Sequence, residues 1–94
     1  MEPLISVVIP SYNYEAYIGH DIESVAAQSY RNLELIVIDD CSQDASFERV
    51  NDLARNELLR ERFSGRITVR ENERNLGAHE TINEGIAAAN GEYL

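Results

Sequence analysis

Residues 33–44 read LELIVIDDCSQD, an apolar run that ends directly on two adjacent carboxylates, Asp39 and Asp40. The run from Leu33 to Ile38 predicts a buried strand. The segment after it is rich in Asp and Ser, which favour turns and helix caps. Adjacent carboxylates repel each other, so proteins usually separate them or give them something to bind. The stretch therefore predicts a strand whose carboxyl end carries either a binding site or a helix cap.

The other strands and helices follow from two periodicities in the sequence. Short runs rich in β-branched residues predict strands at 5–9 and 66–71, and the final EYL predicts the first residues of a fourth. Apolar residues at helical spacing predict three helices, over 17–28, 46–62 and 78–89. Either Asp44 or Ser46 is a candidate cap for the second helix.

Alternating strands and helices predict an α/β fold with three layers, α/β/α, around a parallel sheet of Rossmann-like topology. The first strand is fully apolar and should lie inside the sheet, whereas the more polar third strand should lie at an edge. Residues 1–94 are expected to form one incomplete domain that stops as the fourth strand starts. We therefore expect an exposed sheet edge beside the first strand, and a homo-oligomer that pairs such edges.

Composition excludes several classes of protein. The chain has 94 residues and a formal net charge of −9, which argues against a nucleic-acid partner. No apolar run approaches the roughly 20 residues of a membrane span. The N-terminal MEPLISVVIP lacks the basic start of a signal peptide, and a single cysteine, Cys41, suits a reducing compartment. The expected location is the cytoplasm, with any membrane association through parts not present here.

The loops after the three strands carry the candidate binding residues. In open parallel sheets, ligands bind outside the carboxyl ends of the strands, so these loops predict one cleft. Tyr12 offers a flat face to a base, and a carboxylate accepts hydrogen bonds from a base N–H or from ribose hydroxyls. Gly77 opens the third helix and would leave backbone N–H groups facing a phosphate. The loops hold Pro10, Tyr12 and Asn13, then Asp39 and Asp40, then Asn75 and Gly77.

Structural explanations exist for several of these residues taken alone. Asp39 and Asp40 could cap the following helix, and Tyr12 could be a packing aromatic. A receiver-type signalling module also has an acidic pair at a strand end, where it binds Mg²⁺. Receivers usually carry that pair after their first strand and a phospho-accepting Asp after the third, whereas this third strand ends in VRENERN. A non-enzymatic interaction domain is the remaining alternative.

The order of the motifs is more specific than any one of them. SVVIPSYNYEAYIGHDIESVAAQSY, LELIVIDDCSQD, NLG and ANGEYL follow one another along the whole chain. This series resembles the inverting family 2 glycosyltransferases, which have the GT-A fold. Its strongest parts are VVIPSYN, the QSY that ends the first helix, and IVIDDCSQD.

The resemblance implies a donor site for a nucleotide sugar, with a UDP-sugar as the expected donor. Pro10 and Tyr12 match residues around the base, Asp40 matches the carboxylate that hydrogen-bonds it, and Asp39 is its companion. Asn75 and Gly77 match the loop near the diphosphate.

The family's metal motif for Mn²⁺ or Mg²⁺ and its catalytic base lie beyond GEYL, so no catalytic or metal residue is assigned here. The resemblance implies polysaccharide biosynthesis by the full-length enzyme, with an unknown saccharide, lipid or protein acceptor. This part alone is expected to be inactive.

Overall fold

Four parallel strands form one sheet in the order β3-β2-β1-β4, in a computed structural model that describes residues 2–93. The elements along the chain are β1 (Ile5–Ser11), α1 (Ile18–Ala26), β2 (Leu33–Asp39), α2 (Ser46–Ala54), α3 (Glu57–Arg62), β3 (Ile67–Glu71), α4 (Ala78–Ala88) and β4 (Glu92–Tyr93).

The sheet has the arrangement that the hydrophobic pattern predicts. All residues of β2 are buried because it lies between β1 and β3. β1 is also internal, and the more polar β3 lies at the edge, as expected. β4 pairs with β1 at Ile5 and Ser6. The α/β Rossmann-like fold class is confirmed, whereas oligomerisation through the edge beside β1 stays a prediction.

Helices cover both faces of the sheet. On one face, Ile18 and Ile22 of α1 and Val50 of α2 join Leu35 and Val37 of β2 in a buried cluster. On the other face, α4 approaches β1 so closely that a Cβ on Gly85 would lie 2.2 Å from Val8 Cγ1. A glycine at position 85 is therefore required for this helix to pack on the sheet.

β1 continues two residues beyond the predicted end, through Pro10 to Ser11. The Ser11 carbonyl accepts a hydrogen bond from the Asp40 N–H at 2.8 Å, so Ser11 bonds toward β2. The backbone groups of successive residues in a parallel strand hydrogen-bond to opposite neighbouring strands. The backbone of Pro10 is therefore directed away from β2. Its missing N–H removes no hydrogen bond between β1 and β2, which explains why the strand does not end there.

The single helix predicted over 46–62 is wrong, because the chain forms two helices, α2 and α3. Asn56 interrupts the helix with an extended backbone (φ −66°, ψ 126°), and its side chain accepts a hydrogen bond from the Leu59 N–H at 3.2 Å. Leu58 continues the apolar spacing that predicts one long helix, but it is 77% exposed. An Asn cap starts a new helix, which the apolar spacing alone could not reveal.

Arg62, the last residue of α3, contacts the carboxyl end of α1 and the turn that follows it. Its guanidinium donates hydrogen bonds to the carbonyls of Ala26 (2.6 Å), Gln28 (2.9 Å), Tyr30 (2.6 Å) and Arg31 (3.2 Å). These carbonyls lie at and just beyond the carboxyl end of α1, where a positive charge is favourable. Arg62 thereby holds the turn between α1 and β2.

Candidate functional site

An open pocket lies at the carboxyl ends of β1 and β2, beside the start of α4. Its cavity volume is about 360 Å³, within the size range of small-molecule sites. The structure brings five of the expected binding residues together in its wall. The lining residues are Pro10, Ser11, Tyr12, Tyr14, Asp40, Asn75, Gly77 and Ala78.

Asp40 is buried at the base of this pocket, with only 3% of its surface exposed. Its carboxylate accepts hydrogen bonds from Asn72 Nδ2 (2.9 Å), the Leu76 N–H (2.8 Å) and the Gly77 N–H (2.9 Å). Burial raises the pKa of Asp40, but the hydrogen bonds from Leu76, Asn72 and Gly77 outweigh it and hold the pKa below its usual value. Asp40 is therefore an ionised, buried acceptor held by uncharged donors.

The same contacts change the expectation for Gly77. Its N–H was expected to face a phosphate, but it donates to Asp40 instead, so that N–H is already occupied. The carboxylate supplies negative charge just before α4, where a helix favours an anion. Gly77 has a left-handed backbone (φ 90°), which suits glycine at this sharp entry into the helix. Its place in the pocket wall is unaffected.

Asp39 lies outside the pocket wall and is fully buried. Successive side chains of a strand point to opposite faces, so Asp39 lies on the α1 side of the sheet while Asp40 faces α4. The Asp39 carboxylate accepts hydrogen bonds from the Ser42 N–H (2.8 Å) and from Ser42 Oγ (2.6 Å). Asp39 and Asp40 therefore have separate sets of hydrogen-bond donors on opposite faces of the sheet. Direct contact of Asp39 with a ligand stays a prediction that this placement does not favour.

Asn13 also lies outside the pocket wall, where it joins the first two loops. Its backbone is left-handed (φ 48°), its N–H donates to Ser42 Oγ at 3.0 Å, and its side-chain oxygen accepts from the Gln43 N–H at 2.8 Å. The Tyr14 N–H adds a hydrogen bond to Ser46 Oγ at 2.7 Å. These bonds give Asn13 a role in shaping the pocket rim, and its contact with a ligand stays a prediction.

Two tyrosines line the pocket, of which only Tyr12 was expected there. Tyr12 is 46% exposed, so part of its ring is accessible to a ligand. Tyr14 was not among the expected binding residues, yet it lines the pocket and also packs against Tyr17, with 5.4 Å between ring centroids. A hydrogen bond to the Asp21 carboxylate raises the pKa of the Tyr14 phenol. The alternating aromatics in SYNY were the available signal.

Asn72 and Thr81 support Asp40 and were not expected in the site. Both are buried, and Asn72 Nδ2 lies 3.1 Å from Thr81 Oγ1 as well as 2.9 Å from Asp40. Thr81 Oγ1 in turn donates to the Gly77 carbonyl at 2.8 Å. The signal that could have found Asn72 is its position directly after β3, at the same edge as Asp40.

Neither a metal site nor a membrane-spanning helix is found in residues 2–93. Within this described part, no group of three or more His, Cys, Asp or Glu side chains is arranged to hold a metal ion. The residues present therefore do not fit a bound divalent metal by themselves. No helix among these residues is long and apolar enough to cross a bilayer.

The fold is an α/β domain with an open pocket at the carboxyl ends of its parallel strands, the place where such sheets bind ligands. Residues 6–94 match the family model described as glycosyl transferase family 2. The chain belongs to this family. It is 36% identical to glycosyltransferase GlyG of Streptococcus pneumoniae over 94 residues, covering 100% of this chain and 29% of GlyG.

Solved structures share this fold. The mannosyltransferase PcManGT from Pyrobaculum calidifontis, in complex with GDP-Man and Mn²⁺, superposes with a TM-score of 0.84 at 25% identity, over 97% of this chain and 26% of PcManGT. S. aureus TarS 1-349 in complex with UDP-GlcNAc gives a TM-score of 0.79 at 30% identity, over 97% and 25% of the two chains. The chain thus spans less than a third of each of these proteins, and the comparisons give no support to a receiver-type module.

Proposed function

We propose that this chain binds the nucleoside of a UDP-sugar, as the donor-binding part of a family 2 glycosyltransferase. The observation that carries the proposal is the meeting of Asp40 and Tyr12 in one pocket wall, although they lie in different loops. Tyr12 supplies an exposed ring for stacking, and Asp40 supplies a fixed acceptor for a base N–H. Pro10, Asn75 and Gly77 complete the wall around the nucleoside and toward the diphosphate.

The hydrogen bonds of Asp40 favour uracil over guanine. A carboxylate has about four acceptor positions, and Asn72, Leu76 and Gly77 already donate to three of them. Little capacity remains beyond one further N–H. Uracil presents a single N–H between two carbonyls, whereas guanine presents N–H and NH₂ groups side by side and would use two acceptor positions. This argument supports a UDP-sugar as donor, as in the TarS complex, over a GDP-sugar.

For the full-length protein we propose transfer of the sugar to a saccharide, lipid or protein acceptor. The proposal includes Mn²⁺ or Mg²⁺ held by residues outside the described part, and Mn²⁺ in the PcManGT complex supports it. The 94 residues alone are expected to show no transferase activity.

Nucleotide titrations of the full-length protein test the donor assignment. We expect UDP to bind and GDP to bind at least about tenfold more weakly, because Asp40 has no second free acceptor position for guanine. Calorimetry gives both affinities, with CDP as a control for pyrimidines that have no imide N–H. GDP binding as tightly as UDP would overturn the uracil assignment, and no binding of any nucleotide would overturn the proposed function.

A further inference from the structure

A second buried carboxylate, Glu34, lies near the amino end of β2, whereas the pocket lies at the carboxyl ends of the strands. It is 2% exposed and takes no part in the site described above. It accepts hydrogen bonds from Ser6 Oγ (2.5 Å), the Asn90 N–H (2.9 Å) and Asn90 Nδ2 (2.8 Å). Two of these three donors belong to Asn90, which lies just after α4 and far along the chain from β2.

Burying a carboxylate that has no hydrogen-bond donors would destabilise the fold by roughly several kcal/mol, so the donors to Glu34 are needed for stability. Burial raises the pKa of Glu34, but the hydrogen bonds from Ser6 and Asn90, together with the charge of Arg66, bring the pKa below its usual value. Glu34 is therefore ionised at neutral pH, and its buried charge is held by donors from β1 and from the turn between α4 and β4.

The turn is held against β1 by further contacts. The Gly91 N–H donates to Ser6 Oγ at 3.0 Å, so Ser6 joins Glu34 to the next residue of the turn. A Cβ on Gly91 would lie 2.4 Å from the Leu4 carbonyl oxygen, which leaves space only for glycine. We call Ser6, Glu34, Asn90 and Gly91 the Glu34 clamp. Directly after the clamp, β4 pairs with β1 in the register Ile5 to Glu92 and Ser6 to Tyr93.

We propose that Glu34 is a positioning residue that sets the register of β4 beside β1. Because the two strands are parallel, β4 runs toward the edge of the sheet that carries the pocket. The Glu34 clamp lies at the amino ends of the strands and the pocket lies at their carboxyl ends. By setting the register of β4, the clamp thus determines where the polypeptide after β4 arrives relative to the pocket. Its consequence for turnover rests on the proposed function, whereas its effect on the register does not.

The test uses a matched set of variants in the full-length protein. Asn90→Asp places a second carboxylate against Glu34, and repulsion should open the clamp. Adding Glu34→Gln restores complementary partners, since the amide introduced at position 34 can donate to the new carboxylate. Glu34→Gln alone should be mild, because the Asn90 amide can turn over and accept from it. Asn83→Asp, the same change at an exposed position of α4, is the control.

Hydrogen exchange, UDP affinity and UDP release from UDP-GlcNAc or UDP-glucose are then measured. For Asn90→Asp we expect exchange of the residue 90–93 amides to rise about tenfold and UDP release to fall about tenfold, with UDP affinity within about twofold. The double variant should recover most of both losses, and Asn83→Asp should match the wild type.

Unchanged exchange in Asn90→Asp, or a double variant no better than Asn90→Asp, would overturn the proposal. A parallel fall of UDP affinity and melting temperature would also overturn it, since general destabilisation would then suffice. If the wild type binds no nucleotide, the proposed function fails while the exchange measurements still decide the role of the clamp.

Discussion

The Asp40 carboxylate accepts a hydrogen bond from the Gly77 N–H at 2.9 Å, which ties the end of β2 to the start of α4. The same carboxylate forms part of the pocket wall. Asp40 thus has a structural contact and a surface for a ligand at once. Variants at and around it should separate these two roles, because ligand affinity and folding stability are measured independently.

Asp40→Asn should weaken UDP binding by roughly 10- to 100-fold, equivalent to about 1.5–3 kcal/mol, because a charge-assisted hydrogen bond to the base is lost. The Asn amide would also turn an NH₂ group toward a backbone N–H, so a lower melting temperature is expected. Calorimetry below the melting temperature separates the two effects. Asp52→Asn, at a side chain that is 78% exposed, is the matched control. Unchanged UDP affinity would remove Asp40 from base recognition.

Tyr12→Ala should weaken UDP binding by about 1–3 kcal/mol through loss of base stacking, with little change in stability. Tyr12→Phe keeps the ring and should bind UDP within about twofold of the wild type. Leu58→Ala serves as the control, because Leu58 is 77% exposed and does not line the pocket. Equal affinity of the Ala and Phe variants would show that the ring does not contact the base.

Asn72→Asp should make UDP affinity depend on pH. The pKa of Asp40 lies below its usual value in the wild type, so Asp40 stays ionised and affinity should be flat between about pH 5 and about pH 8. In the variant, two carboxylates share the space of one hydrogen bond, which raises the pKa of the pair. Affinity should then fall as pH is lowered through this raised pKa. Asn51→Asp on α2 should keep the flat profile.

Arg62→Lys should lower the free energy of unfolding by about 1–3 kcal/mol, because a lysine cannot reach the four carbonyls that Arg62 contacts. Urea unfolding monitored by circular dichroism measures the change. Arg60→Lys on the exposed side of α3 is the comparison, and it should change stability little. UDP affinity of the folded Arg62→Lys protein should remain at the wild-type value, and a large loss of affinity would contradict a purely structural role.

The strand pattern and the turn residues predicted most of the fold. The apolar runs located β1 and β2, and the polar character of 66–71 correctly placed β3 at the edge. The break at Asn56 was missed because the apolar spacing continues across it, and the new helix start is shown by the backbone conformation and the side-chain cap of Asn56. The hydrogen bonds from Arg62 to carbonyls at and beyond the end of α1 were also missed, because these partners lie more than thirty positions away along the chain.

The candidate site was predictable in its location but not in its internal bonding. Carboxyl ends of parallel strands share an edge, so Tyr12, Asp40 and Asn75 could be placed together from their order alone. Asn72 and Thr81 were missed because a buried polar residue is recognised by its partners, which lie far away along the chain. The occupation of the Gly77 N–H by Asp40 could not be foreseen for the same reason.

By itself, the sequence determined the alternation of strands and helices and the edge of the sheet where the polar loops gather. Both follow from local periodicity and from the direction of parallel strands. Only the tertiary structure decided that Asp40 faces the pocket while its neighbour Asp39 closes a turn on the opposite side. The choice depends on which donors lie within hydrogen-bonding distance, and those of Asp40 come from residues more than thirty positions further along the chain.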